Sequence, residues 1–391
     1  MSSRTRLTIL LLSMPLMVFA VVGGWLGRHA SARENTYQHL RVFEDVVSLI
    51  VNNYVEEPDT DDVLDGAMRG LAEGLDPDSA YLSPEQVQRL ESGEATPDGT
   101  TGIDLTRQYY LRVVAVRDGS PAAKAELRTG DYIRAIDGQS TRPMSVFEGQ
   151  RLLGGPVGST VKLTVWRGSA ADPHDVVLTR ATPPPVEVTA RMQAPGIGYL
   201  RIAAFGPQVS DEVRAGIEQL KGQGAKQLIV DVRHTAEGNP EAGIDVARLF
   251  VKSGTLGAQD SRSAPKTTYT AREGDGSVTW PVVLLATNGS SGAAETFAAA
   301  LVGNKRATLV GETTLGRAGL QKLVKLPDGS GLWLTYARFL DPAGKPIQGE
   351  GLTPQVEVEE PDVEFGEQAP TEDPILDKGL EQLSQTRKRA A

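Results

Sequence analysis

At 391 residues, 40% of them hydrophobic and 23% charged, the chain is too long for one ordinary core and has the composition of a globular protein, so two or three domains are expected. A formal net charge of −10 disfavours a general nucleic-acid binder, whose phosphate contacts need a basic face. The absence of cysteine excludes disulfides, thiolate nucleophiles and Cys-based metal sites, and the four histidines (His29, His39, His174, His234) show no HExxH spacing that would suggest a zinc hydrolase.

In chain order, the first feature is Leu7 to Gly27, an uncharged apolar run between Arg4/Arg6 and Arg28, long enough to cross a hydrocarbon layer of about 30 Å as a helix. "ASA" at Ala30 to Ala32 offers a small-residue cleavage site, so a signal peptide is the alternative. The run exceeds the usual signal core of about 7 to 15 residues, which favours an uncleaved anchor. From Tyr37 to about Gly74 apolar residues recur at three and four, a helical period, and "LDPDSAYLSPEQVQRL" reads as a turn entering another helix. After the linker "ESGEATPDGT" the chain alternates short strand-like runs ("TGIDLT", "LRVVAV", "DYIRAIDG", "STVKLTVWR", "HDVVLTR") with two short helix candidates, "SPAAKAEL" and "MSVFEGQRLLGG".

Beyond "TPPP" (Thr182 to Pro185) strand and helix alternate: "GIGYLRI", a helix with Ser210 as cap, "KQLIVDVR", a helix near Gly243 to Val251, "PVVLLAT", a helix from about Ala293 to Gly303, and "ATLVGE". Such alternation predicts a layered sheet covered by helices, with a site at its strand ends. "NGSSGAAETF", Asn288 to Phe297, is a turn of small residues between a strand and a helix, a place where many hydrolases mount a nucleophile. Asp373 to Gln385 reads as a short amphipathic helix.

Three separated blocks resemble the carboxyl-terminal processing peptidases, the tail-specific serine peptidases: "NNYVEEPDTDDVLDGAMRGLAEGLDPDSAYLSPEQ", the strand module with "TGIDL", "SPAAKAELRTGDYIRAIDGQ" and "GGPVGSTVKLTVWR", and "LTYARFLDPAGKPIQGEGLTPQVEV". The resemblance runs from about Tyr37 to Val358 and implies a multi-domain α/β protein. Its expected parts are an anchor or signal at 1–32, a helical segment at 33–93, a β-rich PDZ-like module at 98–182, a layered crotonase/ClpP-like peptidase core at 186–361, and a C-terminal helix and tail at 362–391. It further implies a globular part in the periplasm, no metal or organic cofactor, and partners that are C-terminal or unstructured peptide segments of envelope proteins, with an active relative or a second copy as further partners. In the PDZ-like module, Thr101, Gly102, Ile103 and Asp104 match the loop that receives a terminal carboxylate, and a strand edge pairs with the incoming chain. Glu126 stands where such modules usually have glycine, so that turn is expected to be strained.

The catalytic positions depart from the family pattern. The family's segment resembles "GSASASE", and alignment on Glu295 sets Gly292 at the attacking serine. The family's base is a lysine in a turn after a "VGE" strand, leading to a glutamine; "VGETTLGRAGLQ" places Arg317 there and keeps Gln321, at the family's serine-to-lysine separation of 25 residues. An arginine stays protonated and cannot accept the proton of a hydroxyl. The loop that cradles the reacting carbonyl, "NNPGG" in the family, reads "HTAEGN" here, with His234 and Gly238 as candidate oxyanion-loop residues and Glu237 in place of a glycine. Ser290 and Ser291 are the alternative nucleophiles, Ser291 with His234 as a conceivable base. Two readings follow: a membrane-anchored pseudopeptidase that binds tails, or an active tail-cleaving peptidase with a relocated serine.

Overall fold

Runs of apolar residues build the central sheet of the computed structural model, which describes residues 41–92, 98–168, 172–185, 187–365, 367 and 370–390. The expected spanning stretch Leu7 to Gly27 lies outside the described residues; among those described, no helix is long and apolar enough to cross a membrane. The chain divides into two units, Met1–Gly70 and Leu71–Ala391. In the first, residues 41–53 are helical, and Thr60 opens the helix Thr60–Glu73 with Asp61 and Asp62 in its first turn, where negative charge complements the helix dipole.

In the second unit the six-stranded sheet runs in the order Val356–Glu357, Ala307–Gly311, Val282–Ala286, Gln227–Asp231, Ile197–Ile202 and Val188–Ala194. Every neighbouring pair is parallel except the last. Val282–Ala286 is buried at each residue, the unbroken apolar run expected of a parallel strand covered on both faces. On one face Leu200, Val230 and Leu284 meet Val213, Ile244 and Phe297 from the helices Val209–Gly222, Pro240–Ala247 and Ala293–Gly303. On the other, Ile229, Val283 and Leu285 meet Ile375 and Leu383 of the helix Pro374–Ala390. The C-terminal helix therefore packs on its own domain.

Two helix starts differ from the sequence expectation. Ser210 lies inside Val209–Gly222, whose cap position is Gln208. The helix expected near Gly243 begins at Pro240, because the Asn239 side chain accepts the Glu241 N–H and proline is preorganised for a first turn.

A second sheet is centred on Gly331–Leu340, which pairs antiparallel with Gly319–Lys325, Thr255–Ser261 and Ala80–Leu82. The strand Ala80–Leu82 lies within the segment expected to be helical, and it joins the second sheet by pairing with Gly331 to Trp333. Just after it, Ser83 caps the helix Pro84–Glu91 in a reciprocal box with Gln86.

The PDZ-like module is a separate antiparallel sheet in the order Ile103–Gln108, Tyr110–Val116, Tyr132–Ile136, Thr160–Trp166 and His174–Thr179, over a core of Leu105, Leu111, Ile133 and Leu163. Ile103–Gln108 is an edge strand, and the helix Val146–Leu153 packs beside it. Glu126 takes a left-handed φ of 58°, the geometry expected where glycine is usual, and its carbonyl accepts from Arg167 Nη2 at 2.7 Å.

Candidate functional site

The strand Val282–Ala286 delivers the chain to a tight turn, and the helix Ala293–Gly303 leaves it. Ser290 is spent on the turn: its hydroxyl accepts the Thr287 N–H and donates to the Val232 carbonyl at 2.8 Å. The Ser291 N–H donates to the Thr235 carbonyl, and the Ser291 hydroxyl makes no hydrogen bond among the described residues. Gly292 follows with φ 59° and ψ −113°, a backbone conformation strained for any residue with a β-carbon. A β-carbon built there would still have room: the three nearest atoms are the carbonyl oxygens of Ala236 at 3.7 Å, Arg317 at 3.8 Å and Gly238 at 4.0 Å.

Glu295 holds the turn in shape. Its fully buried carboxylate accepts the N–H groups of Gly292, Gly316 and Arg317 at 3.2, 2.7 and 2.8 Å, and the Thr314 hydroxyl at 2.5 Å. Burial pushes its pKa up to about 7, and those four donors pull in the opposite direction. The Gly292 N–H is divided between Glu295 and the Arg317 carbonyl, so it is already committed and does not point freely at a reacting oxygen.

The structure thus brings Gly292 and Arg317 together, as their spacing predicts. The Arg317 guanidinium is bonded to residues outside the turn: Nη1 donates to the Leu105 carbonyl at 2.7 Å, and Nη2 pairs with Asp78 Oδ1 at 2.6 Å. Asp78 is buried, and burial raises its carboxyl pKa while Arg317 draws it back down. Gln321 does not join this pair; its amide donates to Thr335 Oγ1, which in turn donates to Asp76.

The loop after Gln227–Asp231 begins with a buried network. Burial alone would raise the Asp231 carboxyl, but the Arg233 and Arg201 guanidiniums and the Tyr199 hydroxyl bring it down to about 2. His234, with a left-handed φ of 51°, turns its ring toward the PDZ-like module: Nδ1 lies 2.8 Å from Thr129 Oγ1, and Nε2 lies 2.9 Å from Glu360. The Thr129 hydroxyl also reaches the Val114 carbonyl at 2.7 Å. His234 is therefore engaged by Thr129 and Glu360, and among the described residues neither Ser290 nor Ser291 has a base within hydrogen-bonding contact. Gly238 takes φ 123° and bridges to Phe205, with a β-carbon position only 2.4 Å from the Phe205 carbonyl.

The candidate peptide loop faces the same place. Gly102 takes φ 78°, and a β-carbon there would fall 2.2 Å from Ser120 Cβ. Its carbonyl accepts the Arg117 N–H, and the Thr101 carbonyl accepts the Ala122 N–H. Burial pushes the Asp104 carboxyl up to about 6, against the field of Arg317 and with that of Glu237. Arg201 joins the two modules by a double hydrogen bond to Asp118, at 3.0 and 3.1 Å. The pocket lined by Glu73, Asp76, Arg107, Tyr109 and Arg142 lies at the far end of the same edge strand. Sequence reasoning missed Asp78, Leu105 and Thr129. Asp78 sits in the "LDPDSAYL" block, but nothing in the linear chain pairs it with Arg317.

Comparisons with known proteins agree with this layout. Residues 196–358 match the family model for peptidase family S41, and residues 112–167 match a PDZ domain. A carboxy-terminal-processing protease of Bartonella bacilliformis is 30% identical over 334 residues, covering 84% of this chain and 77% of that protein. A carboxyl-terminal-processing protease of Synechocystis sp. is 33% identical over 328 residues, covering 82% and 77%. Among solved structures, a photosystem II D1 C-terminal processing protease superposes with a TM-score of 0.67 at 28% identity, covering 79% of this chain and 85% of that one.

Proposed function

This chain belongs to peptidase family S41, among its PDZ-bearing carboxyl-terminal processing proteases, and from that premise we propose that it grips the carboxyl-terminal tails of other polypeptides without hydrolysing them. The observation that carries the reading is Gly292: the turn keeps its strained backbone and the space for a side chain, and no hydroxyl stands in it. Two further features support it. Arg317 is a permanent cation, already bonded to Leu105 and Asp78, and it cannot take a proton from a nucleophile. The loop His234 to Asn239, which carries Glu237 where the family's carbonyl-cradling loop has glycine, departs from a donor-lined oxyanion site.

What remains is suited to holding a chain: an edge strand, Ile103–Gln108, with the helix Val146–Leu153 beside it. In this reading the uncharged run Leu7 to Gly27 anchors the protein at a membrane, and the globular part works in the periplasm on tails of envelope proteins.

The test is to incubate the purified full-length chain with an unstructured tailed substrate and to follow both binding and fragment masses. Binding with an intact substrate is expected. Fragments that disappear in the Ser291→Ala variant would replace this reading with that of an active peptidase using a relocated serine. The double change Gly292→Ser with Arg317→Lys restores both groups by type, and weak cleavage at most is expected from it because the loop His234 to Asn239 keeps Glu237 where the family has glycine.

A further inference from the structure

Among the described residues the edge strand Ile103–Gln108 has one sheet partner, Tyr110–Val116. Successive residues of a strand turn their backbone groups to opposite edges. The Gly102 carbonyl points inward, to the Arg117 N–H, so Ile103 and Leu105 present theirs at the open edge. Both of these acceptors are occupied. Ile103 O accepts from Gln150 Nε2 at 2.9 Å, and Leu105 O accepts from Arg317 Nη1 at 2.7 Å.

The two caps differ in kind. Gln150 is an exposed neutral amide on the module's own helix, and such a bond exchanges with a competing donor at little net cost. Arg317 comes from the peptidase core, 212 residues away in sequence, makes a charge-assisted bond, and has its other arm fixed on buried Asp78. A peptide that extends the sheet needs the outward carbonyls as acceptors for its own N–H groups.

We propose that Arg317 is a latch on tail capture: an extended tail with a free carboxylate must take the Leu105 carbonyl from Arg317, so that binding at the PDZ edge and the placement of the residue at the family's base position form one linked equilibrium. This rests on the tail-binding reading above. Coupling of this kind is reciprocal, so whatever frees the guanidinium tightens the tail and whatever binds the tail frees the guanidinium. The released arm keeps an anionic neighbour, since Asp104 lies within its field.

The test uses the full-length chain and a fluorescein-labelled unstructured peptide ending in Leu-Ala-Ala with a free carboxylate, titrated by anisotropy. Arg317→Met keeps the length and removes the donor; the expected result is a Kd about ten-fold tighter than wild type. Arg317→Met leaves Asp78 buried without its counter-ion, so the pair Asp78→Asn with Arg317→Met is measured beside it, and the same tightening is expected. Arg317→Lys, a donor that cannot span both partners as a fork, is expected to fall between. Equal Kd values for wild type and both Met-containing variants would overturn the latch and leave tail binding standing. No binding by any of the proteins would overturn the tail-binding reading, and the latch with it.

Discussion

Gly102 and Gly292 both take left-handed φ values, 78° and 59°, yet the space around them differs. At Gly102 a β-carbon would sit 2.2 Å from Ser120 Cβ, so packing of the PDZ-like module itself demands glycine. At Gly292 the nearest atom to that position is 3.7 Å away, so packing demands nothing. One glycine serves the fold. The other leaves a space at the turn that a side chain would fill, and the surrounding scaffold, with Glu295 accepting from four donors, is intact.

Substitutions test that contrast in order of size. Gly102→Ala meets both a clash and an unfavourable φ, and a loss of about 4 kcal/mol is expected by chemical denaturation. Ordinary stability in that variant would show that the loop relaxes freely. Glu295→Gln turns an amide NH₂ toward backbone N–H donors at the elbow, and about 3 kcal/mol should be lost; a near-silent result would mean that the turn does not depend on Glu295. Gly292→Ala has room for its methyl group and bears only the backbone strain, so about 1–2 kcal/mol is expected, well below the cost at Gly102. Equal costs at the two glycines would erase the distinction.

The smallest effect depends on pH. The folded chain holds the Asp104 proton more tightly than the unfolded chain does, with a pKa raised to about 6 from an ordinary 3.8. That contribution is fully present below pH 3.8 and is lost as pH rises through about 6, because the native state binds more protons in that window. A shift of that size is worth about 3 kcal/mol unscreened, and because the Asp104 side chain is only partly buried, solvent screening leaves about 1 kcal/mol for Asp104→Asn to flatten out of the stability profile there. An unchanged slope would place the titrating group elsewhere.

Much of the elbow was legible in the sequence. The apolar run "PVVLLAT", the small residues after it and the helix from Ala293 are local signals, and the structure has the strand Val282–Ala286 and the helix Ala293–Gly303 where these place them. Alternation of strand and helix likewise announced a layered sheet covered by helices, though not that its strands run parallel. The strand Ala80–Leu82 was hidden, because three residues carry no period and its partner lies some 250 positions further along, at Gly331 to Trp333. The same holds for Arg317: its spacing from Gly292 sets it at the family's base position, whereas its bonds to Leu105 and Asp78 exist only once the two modules are docked. A serine before an acidic pair is a common helix cap, which points to Ser210; the structure places the cap two residues earlier, at Gln208, because Val209 is buried in the core as the helix's first residue.

The central claim, that this site holds a chain without forming an acyl bond to it, is tested most directly by incubating a bound tail peptide with stoichiometric full-length protein in heavy-oxygen water and recording the peptide's mass. Any turnover through an acyl-enzyme would leave the heavy isotope in a new or existing carboxylate. The account predicts a peptide recovered at its original mass from wild type. Isotope uptake or shortening of the peptide, sustained in the purified chain, would contradict it.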